Sequence, residues 1–351
     1  VKIKLLCFTA RGASLCARLC ALLKSGGDDA EGYIKNKEAG GFAGLEKVET
    51  DLYGFTKAAF EDGDAVIFVG AVGIAVRAAA PFIKSKAVDP AVVAVDETAR
   101  YAVPILSGHL GGANALARRV ANLIGAEAVV TTATDLNRKF AADVFARENG
   151  CAVPAPGEIK YISSAVLEGK TVGFLSDFPV DGGLPGGVAS AESGESGVFV
   201  SLDTARKPFL HTLHLVPRCV TVGVGCKKGV AEEVLERRYL EALARNGIPA
   251  CAVAKIATID IKLKENALAA LCKKYRLELA GFTAEELAAV GGKFTDSEFV
   301  QRTTGVGNVC ERAAVKAGGS LIINKDAGDG VTIAAARSDW RGNFESSDGW
   351  D

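Results

Sequence analysis

Ser107-Gly108-His109-Leu110-Gly111-Gly112-Ala113-Asn114 sets a hydroxyl, an imidazole and a carboxamide among three glycines within eight residues. An apolar run, Tyr101–Leu106, precedes it and an amphipathic run, Ala115–Ile124, follows. That order predicts a strand, a tight turn and a helix. The first N–H groups of a helix have no partner within it, and the helix dipole is positive there. Such a turn therefore suits a carboxylate, a phosphate or a developing oxyanion. Gly108, Gly111 and Gly112 let a ligand approach the main chain. His109 is one of three histidines, and an imidazole exchanging protons near neutral pH beside an anion site points to acid–base work. The competing reading is a close-packed βα connection whose histidine caps a carbonyl, and the octapeptide alone does not separate the two.

The elements that must carry this turn read as alternating strands and helices. Lys2–Phe8, Ala65–Val69, Ala91–Val95, Tyr101–Leu106 and Ala128–Thr132 are strand-like, with helical spacing over Gly12–Lys24, Leu52–Phe60 and Ile74–Ala80. Strands apolar on both faces predict a doubly wound, mostly parallel α/β sheet. In such a sheet ligands sit outside the carboxyl ends of the strands. Gly70–Gly73, Asp96-Glu97, the octapeptide and Thr131–Asp135 are all expected at that one edge, with Arg77 and Arg100 beside them. Thr132 and Asp135 are candidate contacts there. Asp96 and Glu97 are candidate acid–base or binding groups, against the plainer role of capping the next element.

A Pro/Gly cluster around Pro154–Gly157 and a second change of composition near Pro217 divide the chain. The expected parts are an N-terminal α/β domain over 1–136, a small α/β middle domain over 137–217, a C-terminal α/β domain over 218–340 and a tail, 341–351. In the middle part Asp181–Gly197 is rich in Gly, Pro, Ser and Glu and reads as a mobile loop. The C-terminal part offers two further glycine turns before helices. One is Gly225-Cys226-Lys227-Lys228-Gly229 and the other Thr304-Gly305-Val306-Gly307-Asn308, followed by Glu311. A dinucleotide site at the first is disfavoured by the glycine spacing and by Lys255, which stands where a ribose-binding acid is expected. Its lysines still suit carboxylates.

Composition narrows the partners. A formal net charge of -1 over 351 residues gives no basic field for nucleic acid, and no apolar run is long enough for a bilayer. Nine cysteines without a CxxC pair fit reduced thiols and a cytoplasmic location.

Several segments, taken in order, resemble the cobalamin biosynthesis protein G family. In the first part these are Gly73-Ile-Ala-Val-Arg77, Asp89-Pro-Ala-Val-Val93, Ser107–Asn114 and Thr131-Thr-Ala-Thr-Asp135. In the last they are Gly223–Gly229, Ala257–Lys262 and Thr304–Arg312. The resemblance implies a cobalt-precorrin-5A hydrolase of the oxygen-independent vitamin B12 route. Such an enzyme opens the δ-lactone of a ring-contracted cobalt-corrinoid and releases acetaldehyde, giving cobalt-precorrin-5B. The cobalt comes with the substrate, so no cofactor and no protein metal site are expected. Expected partners are that substrate, a second copy of the chain and transient contacts with neighbouring pathway enzymes.

Against that chemistry His109 is the candidate base, with Ser107 or Asn114 orienting water and backbone N–H groups of the turn holding the oxyanion. No Gly-x-Ser-x-Gly elbow surrounds Ser107, which favours direct attack by water. Gly108, Leu110, Gly111 and Gly112 line the turn. Arg77, Arg100, Lys227 and Lys228 are candidates for the substrate's carboxylate arms, and Gly225, Thr304, Asn308 and Glu311 complete the expected contacts. The two glycine-turn domains are expected to share one cleft. A non-catalytic corrinoid carrier is the alternative function that the same residues allow.

Overall fold

The computed structural model describes residues 1–35, 42–85, 88–136 and 139–345, apart from the side chains of residues 134, 135 and 299. The boundary expected at Asn137, the side chain of Asp135 and the tail beyond Glu345 lie outside the described residues. The first sheet contains β1 (Lys2–Cys7), β2 (Asp29–Ile34), β3 (Glu46–Lys47), β4 (Ala65–Val69), β5 (Ala91–Val95), β6 (Tyr101–Leu106) and β7 (Glu127–Ala128). Their spatial order is β3-β2-β1-β4-β5-β6-β7. β4 and β5 are buried along their whole length because apolar clusters cover both faces of the sheet. The expected doubly wound α/β architecture is therefore present.

One pairing departs from the expectation. β6 runs antiparallel to β5, while the other neighbours in this sheet are parallel. Only Asp96–Arg100 join the two strands, too few residues for a parallel crossover. Asp96 turns the chain by accepting from the N–H groups of Thr98, Arg100 and Tyr101 at 3.0, 2.8 and 2.6 Å, and Ala99 takes φ 58°. Pro104, which has no N–H to offer a ladder, lies next to the register shift at Val92/Val93. The consequence is large. The end of β6 and the octapeptide lie at the edge where β5 begins, opposite Asp96, Glu97 and Gly70.

The middle sheet contains β8 (Cys151–Ala152), β9 (Val172–Ser176), β11 (Val188–Ser190), β12 (Gly194–Val200) and β13 (Phe209–Pro217), in the order β11-β9-β12-β13-β8. Much of the segment expected as a loop, Asp181–Gly197, thus forms β11 and the start of β12. Backbone pairing of β11 to β9 and of the start of β12 to β13 orders it without a large apolar content. β10 (Val180–Asp181) pairs with β19 (Gly342–Asn343), and Phe344 enters the middle core. The start of the expected tail therefore packs on the middle unit.

The third sheet has β14 (Val220–Cys226), β15 (Val253–Ile259), β16 (Glu278–Phe282), β17 (Ser320–Gly328) and β18 (Val331–Arg337), in the order β16-β15-β14-β18-β17. Asp329 and Gly330, both with positive φ, close the β17–β18 hairpin.

Burial disfavours the Asp96 charge, but the hydrogen bonds from Thr98, Tyr101 and Arg100 outweigh it and hold the carboxyl below its ordinary value. Its contribution is therefore present above the unfolded carboxylate range and lost as pH falls through the lowered folded value. Asp96→Ala should lower stability by about 1 kcal/mol at neutral pH. In urea unfolding the gap to wild type should close at acid pH, and a gap independent of pH would refute this account of the turn.

Candidate active site

The octapeptide leaves β6 through Ser107, a non-glycine residue at φ 59°. The turn is held by its own main chain. Gly112 N–H donates to His109 O at 3.0 Å, Ala113 N–H to Ser107 O at 3.1 Å and Asn114 N–H to Gly108 O at 2.9 Å. Gly112, at φ 83°, starts the helix Ala113–Ile124. A Cβ on Gly111 would stand 2.3 Å from the Ser107 Cβ and 2.9 Å from its carbonyl oxygen, so only glycine fits. The N–H groups of Gly108, Leu110 and Gly111 donate to no group among the described residues. They are the unmet donors that a helix start makes available.

Three side chains of the motif have separate settings. Asn114 is buried and donates through Nδ2 to Thr132 Oγ1 at 2.9 Å, which ties the end of β6 to the segment after β7. Ser107 is 7% exposed, and its Oγ has no hydrogen-bond partner among the described residues. His109 Nδ1 stands 3.1 and 3.3 Å from the two carboxylate oxygens of Asp143. Arg147, one turn further along the helix Ala142–Glu148, donates to the His109 carbonyl oxygen at 2.8 Å. Leu110 packs against the core of the middle unit.

These residues border a cavity of about 420 Å³ between the first and middle units. Ser107, Gly108, His109, Leu110, Thr132 and Ala133 form one wall. Asp143 and the Ile159, Lys160, Ser163 and Leu167 side of the helix Ile159–Leu167 form the other. An imidazole, unmet N–H groups and a cation converge there, an arrangement that can bind an anion and move a proton.

Residues 54–135 match the family model described as Cobalamin synthesis G N-terminal, residues 140–217 the Cobalamin biosynthesis central region and residues 220–336 the Cobalamin synthesis G C-terminus. Over 358 aligned positions the chain is 33% identical to the cobalt-precorrin-5A hydrolase of Salmonella typhimurium, covering 94% of this chain and 96% of that protein. The chain belongs to the cobalamin synthesis G family. It is also 27% identical over 298 residues to the cobalt-precorrin-5A hydrolase of Priestia megaterium, covering 79% of each. A crystal structure of a cobalamin biosynthesis protein G homologue from Sulfolobus solfataricus is similar with a TM-score of 0.44 at 21% identity, over 95% of this chain and 96% of that one.

In this member of the cobalamin synthesis G family, the cavity gathers only part of the residues singled out in the sequence. Ser107, Gly108, His109, Leu110 and Thr132 line it. Asp96, Glu97 and Arg100 lie at the opposite edge of the sheet because β6 reverses direction. Glu97 there accepts from Thr9 Oγ1 at 2.5 Å, and the exposed Arg77 side chain lies against Gly73. The C-terminal residues are absent from the lining of this cavity, which lies between the first and middle units. Lys227 and Lys228 are exposed, and the turn beside them already holds a carboxylate, Glu265, on the Gly229 N–H at 2.9 Å. Gly225 meets the side chain of Thr332, and the Thr304 hydroxyl sits on the Val300 carbonyl at 2.8 Å.

Asn308 and Glu311 are each 1% exposed. Glu311 accepts from the N–H groups of Thr295 and Lys325, both at 2.7 Å, and from Asn308 Nδ2 at 2.6 Å. Their polar atoms are spent joining three segments of the C-terminal unit. Asp143, Arg147, Lys160 and Ser163 were not singled out in the sequence. The spacing of Asp143 and Arg147 on a predicted helix was the available signal, but nothing local says which unit their shared face meets.

Gly111→Ala forces main-chain movement against Ser107 and should cost about 1–3 kcal/mol. Thermal melting checks this, and a variant as stable as wild type would mean the turn is looser than its contacts indicate.

Proposed function

We infer that the chain is a cobalt-precorrin-5A hydrolase whose reaction takes place in the cavity between the first and middle units. The observation that carries this reading is the meeting, on one wall of the cavity, of His109 with Gly108 and Leu110, whose N–H groups donate to no group among the described residues. Relatives bearing that name align over most of the chain. The cavity is smaller than a corrinoid with its side arms, so one edge of the macrocycle, the lactone edge, enters it.

In the proposed reaction His109 takes a proton from water as the water oxygen attacks the lactone carbonyl. The N–H groups of the turn and the positive helix end hold the oxyanion. Collapse of the tetrahedral intermediate breaks the bond to the lactone ring oxygen, leaving a carboxylate on the macrocycle and a hydroxyl on the carbon that bore that oxygen. Loss of the hydroxyl proton then lets that carbon depart with its methyl group as acetaldehyde, and the electron pair of the broken carbon–carbon bond passes into the macrocycle. Lys160, across the cavity from His109, holds a peripheral carboxylate. The cobalt enters with the substrate, and this reading assigns the protein no resident cofactor. All nine cysteines are unpaired, in keeping with the cytoplasmic location proposed here.

Acetaldehyde release from cobalt-precorrin-5A is the deciding assay. Wild type should release it, and binding without release would favour the carrier instead. His109→Asn should fold and bind substrate while losing at least about a hundredfold in rate. Retention of most of the turnover would remove His109 as base. Lys160→Ala should raise KM about fivefold with little change in kcat, the equivalent of about 1 kcal/mol for an exposed ion pair. An unchanged KM would place the carboxylate elsewhere.

A further inference from the structure

The helix Ala142–Glu148 grips His109 at two points, and both contacts come from the middle unit. Asp143 meets the ring at Nδ1, with side-chain exposures of 12% for His109 and 7% for Asp143. Arg147 Nη1 holds the His109 carbonyl oxygen. Residues four apart share one face of a helix, so the grip on the ring and the grip on the main chain move together. The helix itself is fixed by Phe145 and Ala146, which are buried in the middle core.

We propose that Asp143 is a positioning residue for the active site, holding neutral His109 with its proton on Nδ1 so that Nε2 is the atom that takes the proton from water. A carboxylate only accepts hydrogen bonds, and both of its oxygens stand within reach of Nδ1. The ring nitrogen facing it must therefore carry the hydrogen. In a neutral imidazole that leaves the other nitrogen as the base. The middle unit is thereby a working part of the hydrolase. This inference rests on the reading of His109 as the base, but its first measurement does not need substrate.

The full-length protein labelled with 15N-histidine contains three imidazoles, and the His109 signals are those missing from His109→Asn. Nitrogen shifts and two-bond proton–nitrogen correlations report which nitrogen is protonated. Wild type should show the Nδ1–H tautomer. In Asp143→Asn the amide can donate to Nδ1, so the Nε2–H tautomer should gain population. Its kcat should fall a hundredfold or more, with KM within about twofold of wild type. Asp143→Glu should recover part of the rate.

An active wild type with Nε2–H on His109 overturns the proposal, as does Asp143→Asn with unchanged kcat. If Asp143→Asn fails to fold, the wild-type tautomer and the rate of Asp143→Glu decide. An inactive wild type with the Nδ1–H tautomer overturns the hydrolase reading instead, and with it the catalytic part of this role.

Discussion

The reversal of β6 against β5 fixes which groups can meet at the site. Five residues, Asp96–Arg100, connect the two strands, and a chain that short can only turn back on itself. The hydrogen bonds to Asp96 make the turn definite. Had β6 run parallel, His109 would stand beside Glu97 and Gly70, in a sheet edge built from the first unit alone. Running antiparallel, it delivers His109 to the edge where the helix Ala142–Glu148 of the middle unit arrives. Every contact of the cavity follows from that change of direction.

Close packing then gives the turn its chemistry. Ser107 takes a left-handed backbone conformation that costs a non-glycine residue on the order of 1–3 kcal/mol. Gly111 has no Cβ to obstruct it. The chain thereby folds back tightly enough for three main-chain bonds to close the turn, yet the N–H groups of Gly108, Leu110 and Gly111 find no acceptor among the described residues. These residues are half-buried, and Gly108 and Leu110 line the cavity, where an anionic group would give their N–H groups a partner. The strain and the open donors belong together: a looser turn would let the donors pair within the chain.

Much of this was legible in the sequence because hydrophobic periodicity is local. The α/β class and the strand–turn–helix character of Ser107–Asn114 follow from runs of fewer than twenty residues. What failed depended on relations between distant elements. The direction of β6 is readable from the length of the Asp96–Arg100 connection, whereas the burial pattern of a strand is the same for either direction. Gly223 opens the Gly223–Gly229 segment that resembles the family, and a Cβ there would stand 1.8 Å from the Cys310 carbonyl oxygen. Its glycine lets a helix lie directly on β14. Asn308 and Glu311 looked like polar groups at a helix start awaiting a ligand, whereas their partners, Thr295 and Lys325, come from segments on either side. A polar residue in a sequence does not reveal whether the fold will satisfy it internally.

The middle unit shows why the site had to be composite. Leu110 packs against its core, and an apolar contact of that kind tolerates sliding, because burial is roughly proportional to area and has no direction. The contacts of Asp143 and Arg147 with His109 do not. A small displacement would leave a buried carboxylate or a carbonyl oxygen without its partner, at about 1–3 kcal/mol for each neutral group and more for a charged one. The apolar contact therefore holds the two units together, and the polar pair sets their register. Because that pair closes on the residue assigned to proton transfer, the same hydrogen bonds that align the units also fix the geometry of the reaction.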